Sequence, residues 1–150
     1  MFECNRTVYI VDDDRDVRAS LGFMLSTAGL PTRAFAGGVE FLDALGELEP
    51  GCILLDVRMP QLDGLEVLQE LTRRGIDWPV VMMTGHGEVS LAVQTMKLGA
   101  VDFIEKPFEE ERLHTSLGRA FLAISDGAPP VLAAQASASA KAAAPAVAAF

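Results

Sequence analysis

Cys52-Ile53-Leu54-Leu55 is an unbroken run of four apolar residues, followed at once by Asp56. A strand with one face in water alternates apolar and polar residues. A run without alternation is expected where both faces are buried in a parallel sheet. Reading outward from it, four more short runs punctuate the chain: Val8 to Val11, Pro31 to Phe35, Pro79 to Met83 and Val101 to Ile104. Helical spacing separates them. Asp14 is an N-cap for a helix carrying Val17, Leu21, Met24, Leu25 and Ala28, which Gly29 stops. Gly37 to Leu45 forms a second helix with Phe41, Leu42 and Leu45 on its apolar side, and Leu65, Leu68 and Leu71 mark a third. Thr84-Gly85-His86-Gly87 opens a fourth bearing Val89, Ala92, Val93 and Met96, ended by Gly99. Glu109 to Ile124 is a fifth, with Leu113, Leu117, Phe121 and Ile124 inward.

Five β-α alternations with short loops predict an α/β fold: a doubly wound, five-stranded parallel sheet with helices on both faces. Right-handed crossovers leave few topologies, and the flavodoxin-like order 2-1-3-4-5 is a common one. The loops after strands one, three, four and five then share the carboxyl edge, where open α/β sheets place their sites.

The chain has 150 residues, room for one ordinary domain. Half of them are hydrophobic and 22% are charged, a globular profile. With 12 basic and 21 acidic residues the net charge is −9, which argues against direct nucleic-acid binding by this chain. Cys4 and Cys52 have no paired spacing, so neither a zinc site nor a disulfide framework is expected, and Cys52 reads as a small buried hydrophobe. The N-terminus lacks a signal-peptide layout, and no apolar stretch approaches the roughly 20 residues of a membrane helix. A cytoplasmic protein with no membrane partner is the expectation. Residues 1–125 read as the domain. From Asp126 the composition turns to alanine with Pro129, Pro130 and Pro145, so residues 126–150 read as a flexible linker or frayed tail.

The chemistry gathers at the strand ends. Asp12 and Asp13 follow strand one and Asp56 follows strand three, which the 2-1-3 order makes neighbours. Two such charges roughly 5 Å apart repel by about 3 kcal/mol at an effective dielectric near 20. The cluster must bind a cation or raise a pKa. A few carboxylates, leaving positions for water and a phosphoryl oxygen, suit Mg²⁺ better than calcium or zinc. Asp12 to Asp14 alone could merely cap a helix; Asp56 in register with them argues against that. Thr84 ends strand four and Lys106 ends strand five, offering a hydroxyl and an ammonium to an oxyanion. Together the acids, hydroxyl and lysine form a phosphoryl-transfer constellation of positioning and charge stabilisation.

Five stretches, in order, carry a resemblance: Ile10-Val11-Asp12-Asp13-Asp14, Leu55-Asp56-Val57-Arg58-Met59-Pro60, Asp63-Gly64, Met83-Thr84-Gly85-His86-Gly87, and Gly99 to Phe108. Across residues 7 to about 123 the chain resembles the receiver domain of two-component response regulators, the FixJ-type subfamily in particular. The resemblance implies that Asp56 accepts a phosphoryl group from the phosphohistidine of a sensor histidine kinase or histidine phosphotransferase. It implies that Asp13, Asp56 and the backbone carbonyl of Arg58 ligate Mg²⁺ (or Mn²⁺), with Asp12 acting through water. Lys106 would pair with a phosphoryl oxygen, and the peptide before Pro107 would be cis. Thr84 and Phe103 would be the switch pair, Phe103 serving also as core. Arg58, His86 and Gly85 are candidates for tuning the phosphoryl lifetime, with a plain loop role as the alternative for Arg58 and His86. His114 reads as surface.

By the same resemblance, phosphorylation would remodel the face formed by the fourth helix, fifth strand and fifth helix, which can form a homodimer. The domain would assist its own phosphorylation and slow dephosphorylation without being an enzyme. FixJ-type regulators usually carry a DNA-binding helix-turn-helix domain, and nothing after Ile124 resembles one. The expectation is a stand-alone response regulator. The alternative is the receiver part of a FixJ-type transcriptional regulator without its effector domain. Haloacid-dehalogenase-like phosphatases share a strand-end Asp and Mg²⁺, but need an Asp where Arg58 stands. A flavodoxin-like cofactor site lacks its phosphate loop after strand one.

Overall fold

A computed structural model describes residues 7–85 and 88–125. Its elements in chain order are β1 (Val8–Val11), α1 (Arg15–Thr27), β2 (Thr32–Phe35), α2 (Gly38–Ala44), a 3₁₀ turn (Leu45–Glu47) and β3 (Cys52–Asp56). They continue with α3 (Gly64–Arg73), β4 (Val80–Thr84), α4 (Val89–Lys97), β5 (Asp102–Glu105) and α5 (Glu110–Ser125). All neighbouring strands are parallel and the sheet order is β2-β1-β3-β4-β5, as the alternation of runs predicts.

Strand periodicity divides the core into two layers. Tyr9, Val11, Ile53, Leu55, Val80 and Met82 point to one face, where Phe41, Leu42, Val67, Leu68 and Leu71 of α2 and α3 cover them. Val8, Ile10, Cys52, Leu54, Val81 and Met83 point to the other, under Leu21 and Leu25 of α1 and Leu113, Leu117 and Phe121 of α5. All five residues of β3 are buried, in keeping with its central place. Burial pushes the Cys52 thiol far above its ordinary pKa, so it is an inert core group.

Local signals fix the ends. Asp14 accepts N–H bonds from Asp16 and Val17 at the start of α1. Asp63 and Glu66 form a reciprocal capping box on α3. Gly29 and Gly99, at φ 82° and 110°, take the left-handed turn that ends α1 and α4. Helix α4 bears Ala92, Val93 and Met96 as its spacing predicts, but Val93 and Met96 are 47% and 40% exposed. The outer helix α4 lies over β4 and β5 near the sheet edge; among its described side chains only small Ala92 and Thr95 are buried, and Leu91 and Leu98 turn toward the α3 side. Among the described residues no helix is long and apolar enough to cross a membrane. Cys4, His86, Gly87, the Ile124 side chain and the 126–150 tail lie outside the described residues.

Candidate functional site

β1 and β3 pair with Val11 opposite Leu55, so Asp12 and Asp56 leave the sheet side by side. One carboxylate oxygen from each of Asp12, Asp13 and Asp56 lies within 4.8 Å of the others. Asp12 is fully buried and Asp56 nearly so, while Asp13 is exposed. β4 and β5 pair with Thr84 opposite Glu105, which brings the next residue, Lys106, to the same edge. Its backbone N–H donates to the Thr84 carbonyl at 2.8 Å. Its ammonium lies 2.8 Å from Asp12 Oδ2 and 3.3 Å from Asp56 Oδ1. The Lys106–Pro107 peptide is cis. Asp12, Asp13, Asp56, Thr84 and Lys106 therefore meet at one edge.

The loop after Asp56 is held tightly against the sheet. Val57 N–H donates to the Met83 carbonyl at 3.0 Å, and Gly64 N–H donates to the Val57 carbonyl at 2.8 Å. A Cβ on Gly64 would stand 2.4 Å from the Asp56 carbonyl oxygen and 2.8 Å from Val57 Cα, so no larger residue fits without moving the acid's own backbone. Asp12 is anchored too: its Oδ1 accepts the Asp14 N–H at 2.8 Å, and Arg18 donates to its carbonyl at 2.8 Å.

Burial raises the Asp56 carboxyl to a pKa of about 6; the Asp12 charge adds to this, and Lys106 and a backbone N–H bond from Arg58 oppose it. Burial works to lower the Lys106 ammonium, but its hydrogen bond to Asp12 and the Asp56 charge hold it above its ordinary value. It stays a cation. Three carboxylates then face one ammonium, leaving an excess of negative charge. The donor set is all hard oxygen, without nitrogen or sulfur, and it suits Mg²⁺ or Mn²⁺ by ligand chemistry.

The remaining candidates sit around this pocket. Thr84 is buried and its hydroxyl donates a long bond, 3.4 Å, to the Ile104 carbonyl. Phe103 is half-buried against the α2–α3 core layer. Arg58 is exposed and ion-paired with Glu88, whose carboxylate also accepts the Gly85 N–H at 2.8 Å. His114 lies on α5, 3.2 Å from Glu110 and away from the acids.

Two groups escape the reading of the sequence. Glu88 precedes α4 and looks like any acid at a helix start. Asp102 is buried in β5, where it takes bonds from Ser116 at 2.8 Å, Arg119 at 3.0 Å and Arg112 at 3.1 Å. Arg112 also reaches the Phe103 carbonyl at 2.8 Å. A charged residue inside an apolar strand was the available signal.

The family model for the response regulator receiver domain matches residues 8–118. The chain belongs to that family, the receiver domains of two-component response regulators. Among its relatives is the transcriptional regulatory protein FixJ of Bradyrhizobium diazoefficiens, 52% identical over 106 residues, which are 71% of this chain and 52% of FixJ. FixJ of Rhizobium meliloti is 43% identical over 114 residues, covering 76% and 56% of the two chains. The crystal structure of FixJ-N superposes with a TM-score of 0.76 at 41% identity, over 81% of this chain and 96% of that one. Full-length FixJ from B. japonicum gives 0.77 at 44% identity, over 93% and 67%. The FixJ-type resemblance is borne out. The chain spans about half the length of the curated relatives it matches.

Proposed function

We propose that Asp56 accepts a phosphoryl group from the phosphohistidine of a sensor histidine kinase or histidine phosphotransferase, and that the change switches an interaction surface. The observation that carries this reading is the Lys106 ammonium 3.3 Å from a buried Asp56 in a three-carboxylate cluster. An Asp56 carboxylate oxygen attacks the phosphorus in line. The Oδ–P bond forms as the P–N bond breaks, with its electron pair going to the imidazole. Lys106 is placed to balance charge on a phosphoryl oxygen. Asp13, Asp56 and the Arg58 carbonyl would hold Mg²⁺ or Mn²⁺, with Asp12 acting through water. When bound, the ion supplies the positive charge that lets an anionic donor approach three acids.

Thr84 and Phe103 are the proposed switch pair. The Thr84 hydroxyl has only a long bond to give up, and Phe103 is neither fully buried nor free. The exposed Val93 and Met96 make the α4–β5–α5 face the proposed site of phosphorylation-dependent dimerisation. Such a domain promotes its own phosphorylation and slow hydrolysis and acts as a signal carrier rather than an enzyme. As output, we favour docking to a protein partner. The receiver part of a FixJ-type transcriptional regulator is the second reading, favoured by relatives about twice as long as the match.

The test is incubation with acetyl phosphate and Mg²⁺, then intact-mass measurement of the wild type and Asp56→Asn. A phosphate-sized gain is expected in the wild type alone. The same gain in both proteins, or in neither, would overturn the assignment.

A further inference from the structure

Arg58 and Glu88 come from different loops. Arg58 stands two residues past Asp56, in the loop from β3 to α3, and its backbone N–H already binds the Asp56 carboxylate. Glu88 stands just before α4, at the end of the loop that begins with Gly85. Their side chains meet, and the second oxygen of Glu88 takes the Gly85 N–H at 2.8 Å. Gly85 follows Thr84, and β4 pairs with β3 so that Met83 lies opposite Asp56. One carboxylate thus occupies two hydrogen-bond donors flanking the acceptor acid.

The pair adds little to the fold. The Arg58 side chain is 70% exposed, and exposed ion pairs contribute little to stability. Its position matters more. A phosphoryl group on Asp56 carries more negative charge than a carboxylate and has three acceptor oxygens. An arginine fork and a backbone N–H are the donors such a group recruits. Glu88, fixed beside them, holds both donors while no phosphoryl group is present.

We infer that Glu88 is a resident competitor of the phosphoryl group: its carboxylate holds the Arg58 guanidinium and the Gly85 N–H, and yields them when Asp56 carries the incoming anion. This rests on Asp56 being the acceptor. Glu88 is therefore a positioning residue that sets how tightly the phosphorylated state is held, and it pulls the Gly85 and Arg58 loops together in the resting state. Glu88 directly precedes α4, the element whose apolar Val93 and Met96 face outward, so the exchange takes place beside that helix.

The experiment is equilibrium titration of beryllofluoride, a phosphoryl mimic, into the full chain with excess Mg²⁺, followed through the Gly85 amide resonance. The proteins are the wild type, Asp56→Asn, Glu88→Gln, Glu88→Ser, Arg58→Met and the Arg58→Met/Glu88→Gln double variant. Binding to Glu88→Gln is expected to be about three- to tenfold tighter than to the wild type, the scale set by an exposed ion pair plus one charged hydrogen bond. Glu88→Ser also removes the charge, at a position whose side chain makes no cap bond to α4, and must shift in the same direction. Arg58→Met must bind more weakly than the wild type, and the gain from Glu88→Gln must shrink in its background, because the freed donor is then missing. Wild-type binding together with unchanged or weaker binding by Glu88→Gln overturns the competitor role alone. Failure of the wild type to bind, or equal binding by Asp56→Asn, overturns the acceptor assignment and the competitor role with it.

Discussion

Replacing Asp56 with Asn should stabilise the metal-free protein, and the gain should depend on pH. Burial first, and the Asp12 charge second, raise the Asp56 pKa from 3.8 to about 6. Between those values the folded state keeps a proton that the unfolded chain has released. Stability therefore falls as pH rises from about 4 to about 6, and the full penalty is present above that window. A shift of about two units corresponds to about 3 kcal/mol. Water at the rim of the pocket screens part of it, so the expected gain for Asp56→Asn is about 1–2 kcal/mol at pH ~7.5. At pH ~4 wild-type Asp56 is itself mostly protonated in the folded state, and the gain should be nearly gone. Urea unfolding in EDTA at the two pH values, followed by fluorescence of the partly buried Trp78, measures the difference. Added Mg²⁺ should narrow the gap, because only the wild type keeps all three acids to bind it. A gain below about 0.5 kcal/mol at pH ~7.5, or an equal gain at both pH values, would refute the view that a buried, crowded carboxylate strains the fold.

Two further substitutions test the same pocket from other sides. Lys106→Met removes the ammonium 2.8 Å from fully buried Asp12 and 3.3 Å from Asp56, and should cost about 2–4 kcal/mol in EDTA, as breaking a part-buried ion pair does. Thermal melting with and without Mg²⁺ reads it; a loss of under about 1 kcal/mol would show that the acids do not depend on Lys106. Gly64→Ala drives a Cβ into the Asp56 carbonyl and Val57 Cα, and should cost about 1–3 kcal/mol while reducing phosphate uptake from acetyl phosphate. Wild-type stability and uptake would mean that the loop yields more easily than its contacts indicate.

Legibility followed the scale of the forces involved. The β3 run could be read because burial on both faces fills Cys52 to Leu55 with apolar side chains up to Asp56 at the strand's end. The sheet order then brought Asp12 and Asp56 together, since neighbouring parallel strands end at the same edge. α4 was less legible because apolar spacing records which residues could pack, and not whether anything covers them; Val93 and Met96 are left exposed. Glu88 was illegible for a different reason. An acid before a helix reads as a cap, although the Glu88 side chain makes no cap bond to α4, and its pairing with Arg58 depends on how two loops approach in space. Asp102 left a clearer trace, since a lone charge in a buried strand needs partners, although the sequence does not say that Ser116, Arg112 and Arg119 supply them.

Choosing among three neighbouring acids turns on access and saturation rather than on charge. Both Asp12 oxygens are engaged, one by the Asp14 N–H and the other by Lys106, and the residue is fully buried. An incoming phosphorus has no route to it. Asp13 is open to water, whose hydrogen bonds stabilise the carboxylate and blunt its attack. Asp56 stands between these extremes, retaining a sliver of exposure and held by one long ammonium contact and one backbone N–H. Its raised proton affinity marks a carboxylate whose charge is poorly solvated, and a poorly solvated oxygen is the better nucleophile toward phosphorus. The same imbalance accounts for both the proposed reactivity and the expected stabilisation by Asn: a side chain that no longer ionises leaves the pocket calmer and without an acceptor.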